Sequence, residues 1–123
     1  MVGNIKVWNC EKKAVVASLS VDGKIECMTY FKGDLYIATS IYSYNALTQT
    51  TIYRISCDTR KILEKYNMKH SNKISCMYIY QDHLYTTSYD NTIICWDTPS
   101  MNPLKTFTIK KGKNLFNIIF IIF

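Results

Sequence analysis

The chain has 123 residues, enough for one ordinary domain or a piece of a larger one. Hydrophobic residues make up 48% and aromatics 14%, which excludes a disordered chain, and four Gly with two Pro exclude collagen-like or linker-like composition. Fifteen Lys and Arg against nine Asp and Glu give a net charge of +6, which brings acidic partners and nucleic acid into consideration.

In chain order, Ile5–Trp8 and Ala14–Leu19 read as two short strands, followed by a strand-rich unit over 24–66. Within that unit, Ile41 to Thr50, with Ser43, Asn45 and Thr48, reads as a loop inserted between strands. A second unit, 73–109, reads as four strands: Lys73–Tyr80, Leu84–Ser88, Thr92–Trp96 and Leu104–Ile109. Leu115–Ile121 reads as the first strand of a further unit. In Lys73–Tyr80, alternation places Ile74, Cys76, Tyr78 and Tyr80 on one face and Ser75, Met77 and Ile79 on the other. Both faces are largely apolar, which predicts a sheet covered on both sides. Gln81-Asp82 and Tyr89-Asp90-Asn91 supply the turns. No segment shows helix caps with sustained 3.6-residue periodicity, so an all-β fold of antiparallel strands is expected.

Internal repetition organises these strands. A displacement of 49 residues lays Lys24-Ile25-x-Cys27-Met28 on Lys73-Ile74-x-Cys76-Met77, and Leu35-Tyr36 on Leu84-Tyr85. A displacement of 41 then lays Thr51 to Ile55 on Thr92 to Trp96, the difference falling in the inserted loop. A displacement of 47 lays Ile5 to Trp8 on Ile52 to Ile55. The unit is therefore about 41 residues of four consecutive strands, the pattern of a β-propeller blade.

The second unit also carries a family resemblance. His70 followed by Thr86-Thr87-Ser88-Tyr89-Asp90-Asn91-Thr92-Ile93-Ile94-Cys95-Trp96-Asp97 resembles a WD40 repeat, and Gly3 to Asn9 is similar to the end of another. The resemblance implies a partial WD40-type β-propeller over 1–123: a blade end at 3–19, blades at 24–66 and 73–109, and a first strand at 115–121. It also implies a structural hydrogen-bond chain from Asp90 through His70 and Thr86 to Trp96. In the preceding unit the equivalents of His70, Thr86 and Trp96 are Val21, Ile37 and Ile55, so the polar positions are lost together. An all-apolar set leaves no unpaired donor, whereas a half-made network would. Lys69 stands where the family usually has Gly, and Trp8 lacks its turn Asp. Two blades with flanking strands leave an open ring. Truncation of a longer protein, self-association or completion by another chain would each account for it.

Members of this family act mostly as protein-interaction scaffolds, so the resemblance implies a non-catalytic interaction module. The short link Ile79 to Leu84 is similar to blades of WD40 ubiquitin-ligase subunits, which suits a fragment of a larger regulatory protein. Lys24 and Lys73 are repeat-equivalent, and Lys111 and Lys113 flank the matching place in the last unit. On the WD40 plan these cations share one rim, where they would dock an acidic or phosphorylated peptide. The plain alternative is a set of solvated loop lysines. A basic nucleic-acid-binding module is the alternative class of function, but the Tyr residues fall at strand positions and no long basic run exists. No nucleophile–base pair, phosphate loop or metal cluster marks an enzyme, and neither cofactor nor metal is expected.

Five cysteines, none in a C-x-x-C pair, read as reduced buried thiols of a cytoplasmic or nuclear protein. No signal-peptide pattern follows Met1, and the apolar tail Leu115 to Phe123 is about half the length of a membrane-spanning helix.

Overall fold

The computed structural model describes residues 1–98 and 100–109. Lys111, Lys113 and the expected strand Leu115–Ile121 lie outside the described residues. The described residues form antiparallel strands and no helix. A two-stranded sheet, β1 (Val2–Asn9) and β2 (Ala14–Asp22), comes first. Next is a four-stranded sheet in sequence order: β3 (Lys24–Phe31), β4 (Asp34–Ser43), β5 (Ala46–Ser56) and β6 (Ile62–Asn67). A second follows with the same order: β7 (Ile74–Tyr80), β8 (His83–Ser88), β9 (Thr92–Asp97) and β10 (Pro103–Thr108).

Two-residue turns with positive φ set these hairpins. Lys32-Gly33 (φ 47° and 85°), Tyr44-Asn45 (51° and 64°) and Gln81-Asp82 (47° and 64°) each close a tight pair of strands. The Tyr44-Asn45 turn corrects the expected loop over Ile41 to Thr50. β4 runs on to Ser43 and β5 starts at Ala46, so the insertion is a longer hairpin rather than a loop. Asn tolerates the left-handed conformation without glycine, and one bulge, where Thr48 donates to the Ile41 carbonyl at 3.0 Å, absorbs the extra residue.

Bulges recur at equivalent places and correct the simple alternation expected for β7. Ile25 faces Thr39 and Cys27 faces Ala38, leaving Glu26 extra; Ile74 faces Ser88 and Cys76 faces Thr87, leaving Ser75 extra. Past such a bulge the side chains change face. Ile74 and Met77 therefore share a core, with Ile79 against it, whereas Tyr78 and Tyr80 are 44% and 39% exposed. A second bulge recurs on the last strand of every sheet, at Val16, Leu63 and Leu104. It lies beside Trp8, Ile55 and Trp96, which thus hold one register position in three sheets.

The sheets stack face to face, always in the same sense. Ile5 and Val21 of the first sheet pack on Ile37, Tyr53 and Ile55 of the second. On the other face of the second sheet, Tyr36, Ala38 and Ile52 pack on Ile74, Met77, Leu84, Ile94 and Trp96 of the third. Each fully buried Ile or Leu here contributes roughly 1.5–3 kcal/mol relative to exposure. Gly3 permits the first junction, because an added Cβ would meet Ile25 Cγ1 at 2.6 Å. Contact between the two four-stranded sheets is concentrated on their first strands, β3 and β7. The last strands, β6 and β10, are largely exposed.

Candidate functional site

The densest polar cluster sits where the segment before β7 meets the β8–β9 turn. His70 precedes β7, Thr86 lies on β8, Asp90 in the turn and Trp96 on β9. Trp96 Nε1–H donates to Thr86 Oγ1 at 2.8 Å, and Thr86 Oγ1 lies 2.7 Å from His70 Nε2. His70 Nδ1 lies 3.0 Å from Asp90 Oδ2. Donor accounting fixes the direction of the chain. Indole N–H can only donate and a carboxylate can only accept. Thr86 therefore accepts from Trp96 and gives its own proton to Nε2, which leaves the proton of the neutral ring on Nδ1, directed at Asp90.

Asp90 is anchored by more than His70. Its Oδ2 accepts the Ser71 backbone N–H at 3.0 Å, and its Oδ1 accepts the Thr92 N–H at 2.9 Å and the Thr92 hydroxyl at 2.6 Å. The Thr92 contribution was not singled out from sequence. Its signal was present, since an Asp followed two residues later by a backbone N–H is the usual Asx-turn arrangement. Ser88 completes the turn, donating from Oγ to the Asn72 carbonyl at 3.0 Å and accepting the Asp90 N–H at 3.1 Å.

Burial pushes the His70 pKa below its ordinary 6.5, partly offset by the hydrogen bond and charge of Asp90. For Asp90 burial acts upward, but the hydrogen bonds from Thr92, His70 and Ser71 outweigh it and hold the carboxyl below 3.8. Both depressions act on stability in the same direction. Between the folded and unfolded pKa the unfolded chain binds more protons, so stability rises with pH through that window. The unfolding free energy is therefore expected to hold above about pH 6.5, to fall below it as the unfolded His70 takes up a proton, and to fall again below pH 3.8. Urea midpoints across pH for the natural chain and for His70→Leu check this. A slope just below pH 6.5 that survives in His70→Leu would assign it to another group.

The second sheet fills the places of His70, Thr86 and Trp96 with apolar side chains. Val21, Ile37 and Ile55 lie in one buried cluster with Tyr53. Ser71 N–H, satisfied by Asp90 in the third sheet, has as its counterpart the Asp22 N–H, which reaches the Tyr53 hydroxyl at 3.3 Å. The obligatory backbone donor is thus met by a different side chain. In the first sheet Trp8 is 59% exposed, because its face has no described sheet against it.

Of the four lysines expected to share a rim, Lys24 begins β3 and Lys73 directly precedes β7. The Lys24 ammonium stands 4.0 Å from Glu26 Oε1, and that of Lys73 lies 4.9 Å from the centre of the Tyr89 ring. Both therefore have a local partner, neither of them a strong one. A groove of about 440 Å³ beside Asp90 is lined by Lys69, Ser71, Thr92, Pro103 and Thr106 among others. A second, of about 280 Å³, lies between the four-stranded sheets, where Arg54 meets Asp34 at 3.4 Å and Glu64 at 3.0 Å, and Lys32 meets Asp82 at 3.4 Å. This charged cluster was not singled out from sequence, since its members are far apart in the chain.

Chemically the His70 cluster is a clamp. Both ring nitrogens are engaged and the side chain is fully buried, so neither is open to a substrate. Among the described residues no three His, Cys, Asp or Glu side chains are grouped to hold a metal. The five cysteines are free thiols, but they are not all buried as expected: Cys95 is buried, Cys27 and Cys76 are half-buried, and Cys10 and Cys57 are exposed. Burial, with Cys76 and Glu26 nearby, pushes Cys27 up to about 12. No helix among the described residues is long and apolar enough to cross a membrane. No protein-family model matches the chain, and no curated protein matches it.

Proposed function

We propose that this chain is a WD40-type β-propeller segment that serves as a non-catalytic protein-interaction scaffold. The observation that carries the reading is the clamp, in which Asp90, His70, Thr86 and Trp96 tie a turn to two strands of a repeated four-stranded sheet. Support also comes from the stacking of successive sheets in one sense, closest at their first strands. Such stacking makes a rigid platform whose turns are free to vary, the usual arrangement of an interaction surface. The rim that begins β3 and precedes β7 carries Lys24 and Lys73, and its ligand is an acidic or phosphorylated peptide.

The test is binding to an array of acidic and phosphorylated peptides. Lys24→Ala with Lys73→Ala is expected to weaken the best peptides about tenfold, or about 1.4 kcal/mol. Undiminished binding would remove the rim from the proposal. RNA binding that falls steeply with salt would instead favour a nucleic-acid partner.

A further inference from the structure

The β4–β5 hairpin breaks the repetition in the middle of the molecule. In the third sheet β8 ends at Ser88 and β9 begins at Thr92, level with the start of β7. In the second, Lys24 at the start of β3 faces Ser40, yet β4 runs on to Ser43, roughly 10 Å further at the usual rise per residue. None of residues 41–50 belongs to either stacking core. At the tip Tyr44 is fully exposed and holds φ 51°. It is the one aromatic with positive φ among the described residues; Lys32 and Gln81 hold the matching turn place with flexible polar side chains. A bulky residue in the left-handed region is costly, and a fully exposed ring returns nothing to the fold. Below it, Tyr42 alternates in step with Tyr36 and Ala38, which pack on the third sheet, so Tyr42 faces that side. Ile41 faces the other way, against Gly23. The hairpin is therefore a wall with Lys24 at its foot, and across from Tyr42 stands Tyr89, 50% exposed, with the Lys73 ammonium over its ring.

We infer that this hairpin is the selectivity element of the lysine rim, Tyr42 and Tyr44 holding an apolar residue next to the acidic or phosphorylated group of the docked peptide. The site rests on the lysine-rim reading and adds what the peptide carries beside its charge. Ammonium groups attract a phosphate as point charges and do not sense what flanks it. Tyrosine supplies that discrimination. It offers a large apolar face with only two χ angles to order, and its hydroxyl can stay in water when the ring is covered. The strand pairing presents both rings before any ligand arrives, since Tyr42 is held opposite Leu47 and Thr48 is tied to the Ile41 carbonyl. Backbone strain kept where the fold gains nothing from it is typical of ligand clamps.

The probes are two phosphoserine peptides of equal charge, with Leu or with Gly beside the phosphoserine, titrated with the full chain by fluorescence anisotropy. The Leu peptide is expected to bind about tenfold more tightly, the yield of burying most of one Leu side chain. Tyr44→Asn removes the ring and suits the left-handed backbone. It is expected to abolish the preference while leaving the urea midpoint at least as high as that of the natural chain. Lys24→Ala with Lys73→Ala is expected to weaken both peptides alike and to keep the preference. Equal binding of the two peptides by the natural chain, or a preference unchanged in Tyr44→Asn, would overturn the inference; if the lysine variant still weakened both, the rim itself would stand. A urea midpoint lowered by Tyr44→Asn would overturn it too, because the ring would then be packed on the chain's own residues. So would Tyr44-dependent binding of single-stranded RNA with neither peptide bound, which would put a base on the ring. Undiminished binding of both peptides by the lysine variant would remove the rim reading, and this site with it.

Discussion

Trp96→Ala is expected to cost about 3–5 kcal/mol of folding stability, the range for removing a large buried aromatic. The indole is 2% exposed and packs in the core shared by both four-stranded sheets, edge-on to His70 with ring centres 6.4 Å apart. Its loss leaves a cavity that neighbours on stiff strands fill poorly, and it leaves Thr86 without its donor. Domains of this size are stable by only about 5–15 kcal/mol, so the variant is expected near or beyond the edge of folding at room temperature. Urea denaturation followed by far-ultraviolet circular dichroism measures it. Trp96→Phe keeps most of the volume and is expected to lose much less. If Trp96→Ala cost under about 1 kcal/mol, well below that range, the stacking described for the two sheets would be wrong.

Thr86→Val carries the second large effect, although it removes almost no volume. Thr86 is fully buried and is the hub of the clamp, accepting from Trp96 and donating to His70. Valine orphans an indole N–H and an imidazole nitrogen at once, each costing about 1–3 kcal/mol when buried. In a Trp96→Phe background one of those orphans no longer exists. The Thr86→Val cost is therefore expected to shrink by about 0.5–3 kcal/mol, the coupling typical of contacting residues. His70→Ala, expected to cost about 1–3 kcal/mol alone, should couple to Thr86→Val in the same direction. Strict additivity in both cycles would mean that the hydroxyl does not link the two rings.

The all-β architecture was legible because its signals are local. Alternating apolar residues, β-branched and Tyr-rich runs and Asp or Asn turns mark the strands without knowledge of tertiary contacts. Repetition then related distant segments, since Lys24 to Met28 and Lys73 to Met77 begin equivalent strands. What sequence missed depends on neighbours or on single dihedrals. The Tyr44-Asn45 turn holds positive φ without glycine, so nothing in the composition distinguishes its hairpin from a loop. The bulges at Glu26 and Ser75 reverse the facing of later side chains with no compositional mark. Trp8 and Trp96 hold the same register, yet one is 59% exposed and the other 2%, because only the second has a sheet against its face. Exposure at a repeat position belongs to the junction and not to the residue.

The two apolar clusters lie on opposite faces of the middle sheet and share no member. Each therefore answers for one joint only, and softening one leaves the other's contacts in place. Undoing the Ile5–Val21 joint releases a single hairpin while the larger pair of sheets stays assembled. The molecule can be unbuttoned from its leading end without being dismantled.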